Sequence, residues 1–234
     1  MAGTASNTGD DVNEKALSLY DYVAVITPGA ALLFGLFFVF PELKATFTAE
    51  GFSAGNLGLF VLVSYIAGQL IAAGGNLVEW AWWGFQGGMP TDWPRVGDRL
   101  MPEQAAASLQ ERVRRLPGQG SAVVRGADRA AWRHTVRAMT AAIRSAGSVA
   151  RLDMFNAQYG MHRNLVAALG AVAVAALSMP PHRWGVTAWS LLLSAAALSR
   201  MHRFGIHYAR ELMSCFSGLP DAPPRASDKP AEHE

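Results

Sequence analysis

Polar side chains occur inside the second apolar segment of the chain, where they could bind another helix or line a water-filled path. Gln69, Ala72, Asn76 and Glu79 recur at steps of three and four residues, so on an α-helix they form one stripe. An amide without a hydrogen-bond partner is costly in lipid. We therefore expect Gln69 and Asn76 to face protein or water.

Small residues accompany this stripe, and they leave two interpretations open. Gly68 and Ala72 are four residues apart, and small side chains at this spacing let membrane helices approach closely. In the first interpretation the stripe joins the helices of one subunit. In the second, Gln69, Asn76 and Glu79 line a seam between subunits or an aqueous pathway.

Four arginines form a second candidate site. Arg125, Arg129, Arg133 and Arg137 follow one another at intervals of four residues across a predicted helix at 127–146. Such a row is typical of a solvated face near anionic lipid headgroups, of an anionic-ligand site, or of a docking surface for an acidic partner. No nucleic-acid-binding motif accompanies the arginines, so nucleic acid is not an expected partner.

The residue types that usually carry catalysis lack a recognisable arrangement. The histidines do not have the spacing of a metal site, and Cys215 has no histidine at a recognised distance. No hydrolase, phosphate-loop or zinc-protease signature occurs. No catalytic residue, metal ligand or cofactor is therefore predicted. An enzyme would need an acid–base pair such as Asp153 and His162, with lipid as the substrate class.

The elements that position these residues are apolar enough to require lipid around them. Of 234 residues, 51% are hydrophobic and 16% are charged, and the polar residues concentrate in 1–21, 84–163 and 200–234. Helices of a soluble domain need charged surfaces, so long uncharged stretches indicate a membrane protein. The competing interpretation is a soluble helical bundle with apolar central helices.

Four apolar stretches are predicted to cross the membrane as helices. The first two, 22–40 and 57–83, are long enough for the ~30 Å hydrocarbon layer. The last two, 164–179 and 184–198, are shorter and are separated by the residues 180–183. They predict a tight transmembrane hairpin, with a re-entrant or interfacial hairpin as the alternative.

Basic residues predict the orientation of these spans. With four crossings, all but two of the 20 Lys and Arg fall on one side, the exceptions being Lys44 and Arg183. Because positive loops stay in the cytoplasm, both termini are predicted to be cytoplasmic, in a bacterial inner membrane. Trp80, Trp82 and Trp83 end the second span, and we expect them at the headgroup level.

The predicted fold class is an all-α membrane protein with four transmembrane helices and a cytoplasmic helical insertion between spans 2 and 3. The parts, in order, are a cytoplasmic N-terminal segment (1–21), transmembrane helices 1 and 2 (22–83), an arginine-rich cytoplasmic helical module (84–162), a transmembrane hairpin (163–199), an amphipathic juxtamembrane helix (200–216) and a disordered tail (217–234).

The order of segments resembles a loosely defined group of uncharacterised bacterial four-span inner-membrane proteins. The resemblance rests on YDYVAVITPG entering the first span, SYIAGQLIAAGGNLVE in the second, and FNAQYGMHRNLVAAL and RFGIHYARELMSCF around the last pair. It does not extend over residues 84–150. Some four-span proteins of this plan are membrane subunits of phage-defence systems. The resemblance implies that function class and assigns no site residues.

Together these patterns favour a non-enzymatic membrane component, either a pore-forming or a signalling subunit of a homo-oligomer. In it the arginine-bearing helices at 102–146 sense a ligand or a soluble cytoplasmic partner, and the stripe with Gln69 and Asn76 lines the seam that responds. One alternative is a passive anchor that recruits a soluble partner to the lipid bilayer. The other is a lipid-modifying membrane enzyme.

Overall fold

The computed structural model of the protein describes residues 8–48, 53–97, 99–116, 118–119, 122–147 and 149–219, and these ranges consist of helices and their connecting turns, with no strand. The elements are α1 (Thr8–Val39), α2 (Pro41–Thr48), α3 (Ala54–Phe85), a 3-10 turn (Pro90–Asp92), α4 (Trp93–Val96), α5 (Glu103–Arg115), α6 (Arg129–Ser145), α7 (Ala150–Ser178) and α8 (Trp184–Gly218). The all-helical prediction is confirmed for this part of the chain. The predicted disordered tail lies mostly outside the described residues.

Three helices are long and apolar enough to cross a membrane. They are Tyr22–Val39 within α1, the whole of α3 and the whole of α7. Helix α8 is not among them, because its apolar sequence ends at Leu198, before Arg200. The structure thus supports a membrane protein with three such helices, and the fourth crossing stays a prediction.

The long helices form an antiparallel bundle with two distinct ends. Helix α1 packs against α3 and α7, and α7 packs along α8. At one end, Val39 of α1 lies in a cluster with Val172 and Ala176 of α7, beside Val186 of α8. The end of α1 and the turn between α7 and α8 therefore lie at the same end of the bundle.

Residues 86–149, which we call the insertion, fold against the other end of the α7–α8 hairpin. The shared core contains buried apolar side chains from α5 (Leu109, Val113), α6 (Trp132, Met139, Ile143), α7 (Leu152) and α8 (Met201, Leu212, Phe216). Helices α7 and α8 therefore run without a break from the apolar bundle into this core. The predicted divisions at 162/163 and 199/200 fall inside these continuous helices.

Helices α5 and α6 coincide with the two predicted cytoplasmic helices, but Arg125 is not on α6. The helix begins after Asp128, whose carboxylate accepts hydrogen bonds from the backbone N–H of Ala130 at 2.8 Å and Ala131 at 3.4 Å. An aspartate in this position satisfies N–H groups that the first turn leaves unpaired. Arg125 lies in the preceding turn, so three of the four arginines in the predicted row, Arg129, Arg133 and Arg137, are on α6.

Large apolar side chains on the bundle are exposed to the surroundings. Phe34, Leu70, Leu77, Val174 and Trp189 are each at least 60% exposed, and they come from α1, α3, α7 and α8. In water, exposed apolar side chains of this kind favour association between protein molecules. In a bilayer, acyl chains contact them without an unfavourable free energy of hydration. This distribution agrees with a bundle surrounded by lipid.

Candidate functional site

The polar stripe predicted on α3 is divided between two sides of the helix. Gln69 and Asn76 are exposed, Ala72 and Glu79 are partly buried, and Gly68 is buried. Glu79 is ten residues after Gln69, which places it about 80° around the helix axis. This rotation is enough for Glu79 to face a neighbouring helix while Gln69 does not. The five residues therefore do not form one site.

Gly68 belongs to the contact between α1 and α3. It packs against Val25 of α1, while Gly29 of α1 packs against Ser64 and Gly68 of α3. A methyl group on either glycine would collide with the backbone of the other helix. Close approach of two glycine-bearing helices is a common way of packing in membranes. Gly68 thus joins helices of one chain.

Glu79 lies in a polar cluster where α3, α7 and α8 meet. Its carboxylate Oε2 accepts a hydrogen bond from the Arg163 guanidinium at 2.8 Å and one from the Tyr159 hydroxyl at 2.9 Å. The Tyr159 oxygen accepts in turn from the Trp83 indole N–H at 2.8 Å. We call this cluster the Glu79 junction. Its members are Glu79, Trp83, Tyr159, Arg163, Asn164 and His202.

The ion pair at the centre of the junction is largely shielded from solvent. The Arg163 and Glu79 side chains are 19% and 27% exposed. A charge-assisted hydrogen bond is stronger than a neutral one, and shielding increases the cost of removing either partner. Because one partner is on α3 and the other on α7, this bond fixes the position of the two helices relative to each other.

Gly75 on α3 leaves space for the Asn164 amide, which supports the ion pair between Glu79 and Arg163. Asn164 of α7 is 6% exposed, and its side-chain oxygen lies where a Cβ of Gly75 would be. The same oxygen accepts a hydrogen bond from Arg163 Nε at 3.3 Å. The buried amide thereby holds the guanidinium in the orientation that reaches Glu79.

Two tryptophans of α3 contact α8 instead of the headgroup layer. Trp83 is 2% exposed, stacks on the His202 imidazole with ring centroids 5.3 Å apart, and lies against Gly205. The Trp82 indole N–H donates to His202 Nδ1 at 3.3 Å. The predicted aromatic belt is therefore wrong for Trp83, which is a core residue. Trp80 is 76% exposed, and its position at the headgroup level stays a prediction.

The junction also contacts the insertion directly. The ring of Trp93 lies edge-on to Trp83 with centroids 6.2 Å apart, and the Met89 sulfur is 4.0 Å from the Tyr159 hydroxyl. One connected set of side chains thus touches three long helices and the first residues of the insertion. Such a set can transmit a displacement, because moving one member breaks contacts in both parts of the molecule.

The predicted arginine row is solvent-exposed. Arg129, Arg133 and Arg137 are exposed on α6, and Arg125 is exposed in the turn before it. The buried side of α6 carries apolar residues, so the row lies on a different side of the helix from the core. The arginines are brought together along one surface of the insertion, but they are not brought to the Glu79 junction.

Contacts at the two ends of α6 give the direction of this row. Near its first turn, the Trp132 indole N–H donates to the Thr91 carbonyl at 2.8 Å, in the 3-10 turn that follows α3. At its last turn, Arg144 pairs with Asp153 near the start of α7 at 3.0 Å. The row therefore extends from the end of α3 along the hairpin, away from the bundle.

A cavity of about 320 Å³ opens on another side of α6. Part of its polar lining is hydrogen-bonded within the protein: the Gln119 amide nitrogen is 2.9 Å from His134 Nδ1, and the Thr135 hydroxyl donates to Gln119 Oε1 at 2.9 Å. The volume is within the range of small-ligand pockets. One N–H of Gln119 and the hydroxyl proton of Thr135 are therefore already engaged within the protein.

Asp153 and His162, considered above as an acid–base pair, are not brought together. Nine residues apart on α7, they lie on opposite sides of the helix and roughly 13 Å apart along it. Asp153 pairs with Arg144, and His162 Nδ1 is 2.7 Å from the Gln158 carbonyl. Among the residues that the structure describes, no three His, Cys, Asp or Glu side chains form a group able to hold a metal ion.

Sequence reasoning identified Glu79 and missed its partners. Tyr159 and Arg163 are 80 and 84 residues away along the chain, so no local spacing connects them to Glu79. One signal was available, since a carboxylate near the end of one apolar segment and an arginine at the start of the next favour pairing in lipid. Trp83 and His202 carried no comparable signal.

Comparisons with protein-family models, with curated protein sequences and with solved structures give no match to this chain. The resemblance to four-span inner-membrane proteins accordingly stays a prediction.

Proposed function

We propose that the chain is a four-span protein of a bacterial inner membrane that acts as a signalling subunit of a homo-oligomer. An acidic partner or ligand binds the arginine row on α6, and the Glu79 junction passes the change to the membrane bundle. The observation that carries the proposal is the continuity of α7 and α8, which pack in the apolar bundle at one end and in the core of the insertion at the other.

The course of α8 supports the fourth crossing. It starts beside the end of α1, packs along α7, and ends in the core with α5 and α6. A membrane crossed by α7 would therefore be crossed by α8 as well. The apolar half of α8 is short, but Trp184, Trp189 and Leu192 are more than half exposed there, as expected for lipid contacts.

The distribution of charge supports the cytoplasmic side for the insertion. The insertion contains ten arginines and five acidic residues, and positive segments are retained in the cytoplasm. The exposed arginine row on α6 fits a soluble acidic partner better than lipid headgroups. Arg129 lies beside Gly88, just after the end of α3, and the later arginines of the row follow α6 toward the start of α7.

Hydrogen exchange of the protein in lipid nanodiscs tests the proposal, with a poly-glutamate peptide as the acidic probe. The probe is expected to change the exchange of residues 75–83 and 159–166 at the junction. Glu79→Gln should bind the probe and lose this response, whereas Arg133→Glu with Arg137→Glu should lose binding. Binding to the unmodified protein without any change at the junction would support the passive anchor instead.

A pore-forming subunit is the second candidate, favoured by the exposed amides of Gln69 and Asn76 on α3. In liposomes this function predicts release of ions or a small dye when the probe binds. Gln69→Leu with Asn76→Leu should then abolish release, as should the double arginine variant. A passive anchor predicts that only the arginine variant loses function.

A further inference from the structure

The side of α3 that faces away from the rest of the chain carries two amides within an apolar surface. Six of its exposed positions recur at alternating intervals of four and three residues: Leu62, Ile66, Gln69, Ala73, Asn76 and Trp80. This is the spacing of the contact positions in a left-handed pair of helices. We call these six residues the α3 seam.

Among the residues that the structure describes, no helix of the same chain covers the α3 seam. Helix α1 contacts α3 through Ser64 and Gly68, and α7 contacts it through Gly75 and Glu79. These four residues lie on the opposite side of α3 from the seam, as their positions around the helix require. The seam is therefore an outward face of the bundle.

The amides in the seam have unused hydrogen-bonding groups. Gln69 donates one N–H to the Tyr65 hydroxyl at 3.2 Å, which leaves its second N–H and its oxygen. Asn76 forms no hydrogen bond with any other side chain in the described ranges. Gln69 lies at the middle of the 32-residue α3, where a bilayer contains no water to satisfy an amide.

We infer that a second copy of this chain covers the α3 seam. Copies inserted with the same topology present α3 in parallel, so a two-fold axis places identical residues at the same depth. Gln69 then meets Gln69 of the second copy, and Asn76 meets its counterpart. Each amide carries both donors and an acceptor, so identical residues can bond each other.

The residue between the two amides permits this contact. Ala73 separates Gln69 from Asn76 on the seam, and a small residue lets two helix backbones approach within reach of interhelical hydrogen bonds. Amides at contact positions also fix the register of a helix pair, because a shifted register leaves them unpaired. The inference requires that α3 crosses the membrane, but not that the Glu79 junction transmits a signal.

Disulfide cross-linking in membranes tests the inference, in a Cys215→Ser background that removes the native cysteine. Ala73→Cys should form a dimer on mild oxidation. Ala171→Cys is the matched control, because Ala171 is also exposed and lies one turn beyond Ala167, which packs near Gly74. Cross-linking at residue 73 should exceed that of the control several-fold. Equal yields at the two positions would overturn the inference.

A second arm tests the amides themselves. Adding Gln69→Leu and Asn76→Leu to the Ala73→Cys protein should lower its dimerisation roughly tenfold, as expected for loss of interhelical amide bonds. An unchanged yield, or a product whose mass is not that of two copies, would overturn the inference. Adding Glu79→Gln to the Ala73→Cys protein should leave its cross-linking unchanged. Loss of the hydrogen-exchange response at the junction can therefore be distinguished from loss of dimerisation through the α3 seam.

Discussion

The Glu79–Arg163 ion pair of the junction differs in its exposure from the ion pair between Glu111 and Arg115. Glu79 and Arg163 are both less than a third exposed, whereas the Glu111–Arg115 pair on α5 is 58% and 57% exposed. Exposed pairs contribute little because water and salt screen them, and shielded pairs leave a costly uncompensated charge when one partner is removed. The junction should therefore dominate the electrostatic contribution to the stability of the bundle.

A double-mutant cycle with Glu79→Gln and Arg163→Gln measures this contribution. We expect a coupling free energy above about 1 kcal/mol, because the hydrogen bond is charge-assisted and shielded. The same cycle at Glu111 and Arg115 should give about 0.3–0.5 kcal/mol. Both are measured by unfolding in detergent micelles. Equal coupling at the two pairs would show that the junction is an ordinary surface pair.

The start of α6 should depend on pH through Asp128. Hydrogen bonds from the backbone N–H of Ala130 and Ala131 hold the pKa of the Asp128 carboxyl below its usual value. The cap is therefore complete above the usual carboxyl pKa, and it is lost as the pH falls through the lowered, folded-state pKa. Amide exchange at Ala130 and Ala131, corrected for its intrinsic rate, should accelerate in that acidic window.

Asp128→Asn is the matched control for this effect. Asparagine keeps a side-chain acceptor at the cap but does not titrate in this range. The first turn of α6 should then exchange without an acid-dependent step. Should the asparagine variant show the same acid-dependent step, the titrating group would be elsewhere in the insertion.

At the scale of elements, glycines set how closely the helices pack. Gly29→Ala would drive a methyl group into the Ser64 carbonyl of α3, and overpacking of this kind costs about 1–3 kcal/mol. Gly170→Ala on α7 has open space around it, so it should be neutral or stabilising by up to about 1 kcal/mol. Unfolding in detergent distinguishes them, and equal effects would contradict the α1–α3 contact.

The helices themselves were mostly predictable. The apolar runs and the amphipathic pattern locate α1, α3, α5 and α6, and the polar parts of α7 and α8 are predicted to be helical as well. The predicted segment boundaries nevertheless fall inside α7 and α8, because charge usually marks a change of environment. Here those polar parts pack on the insertion. The lack of proline between Arg183 and Leu219 was the signal that α8 does not break.

At the scale of the whole molecule, the α7–α8 hairpin belongs to two compact parts at once. Its bundle half is surrounded by exposed apolar side chains, and its other half forms the core of the insertion. A change in how the insertion packs must therefore be accommodated by helices that also contact α1 and α3. This arrangement is the physical basis for proposing a signalling subunit rather than an anchor.

Composition predicted a helical membrane protein, but it could not settle the number of crossings. The apolar part of α8 is short, and Arg200 follows it closely, so its sequence alone is ambiguous between a span and an interfacial helix. The Glu79 junction could not be predicted from the sequence for another reason. It depends on which helices become neighbours, and periodicity within one helix carries no information about its neighbours.

Labelling of single cysteines with a membrane-impermeant maleimide tests the central claim, that the chain crosses the membrane four times with the insertion inside the cell. In the Cys215→Ser background, His182→Cys marks the turn between α7 and α8, and Val123→Cys marks the insertion; both positions are exposed. In intact spheroplasts, four crossings with the insertion inside the cell predict labelling at residue 182, and labelling at residue 123 only after permeabilisation. Labelling of both residues, or of neither, before permeabilisation would contradict it.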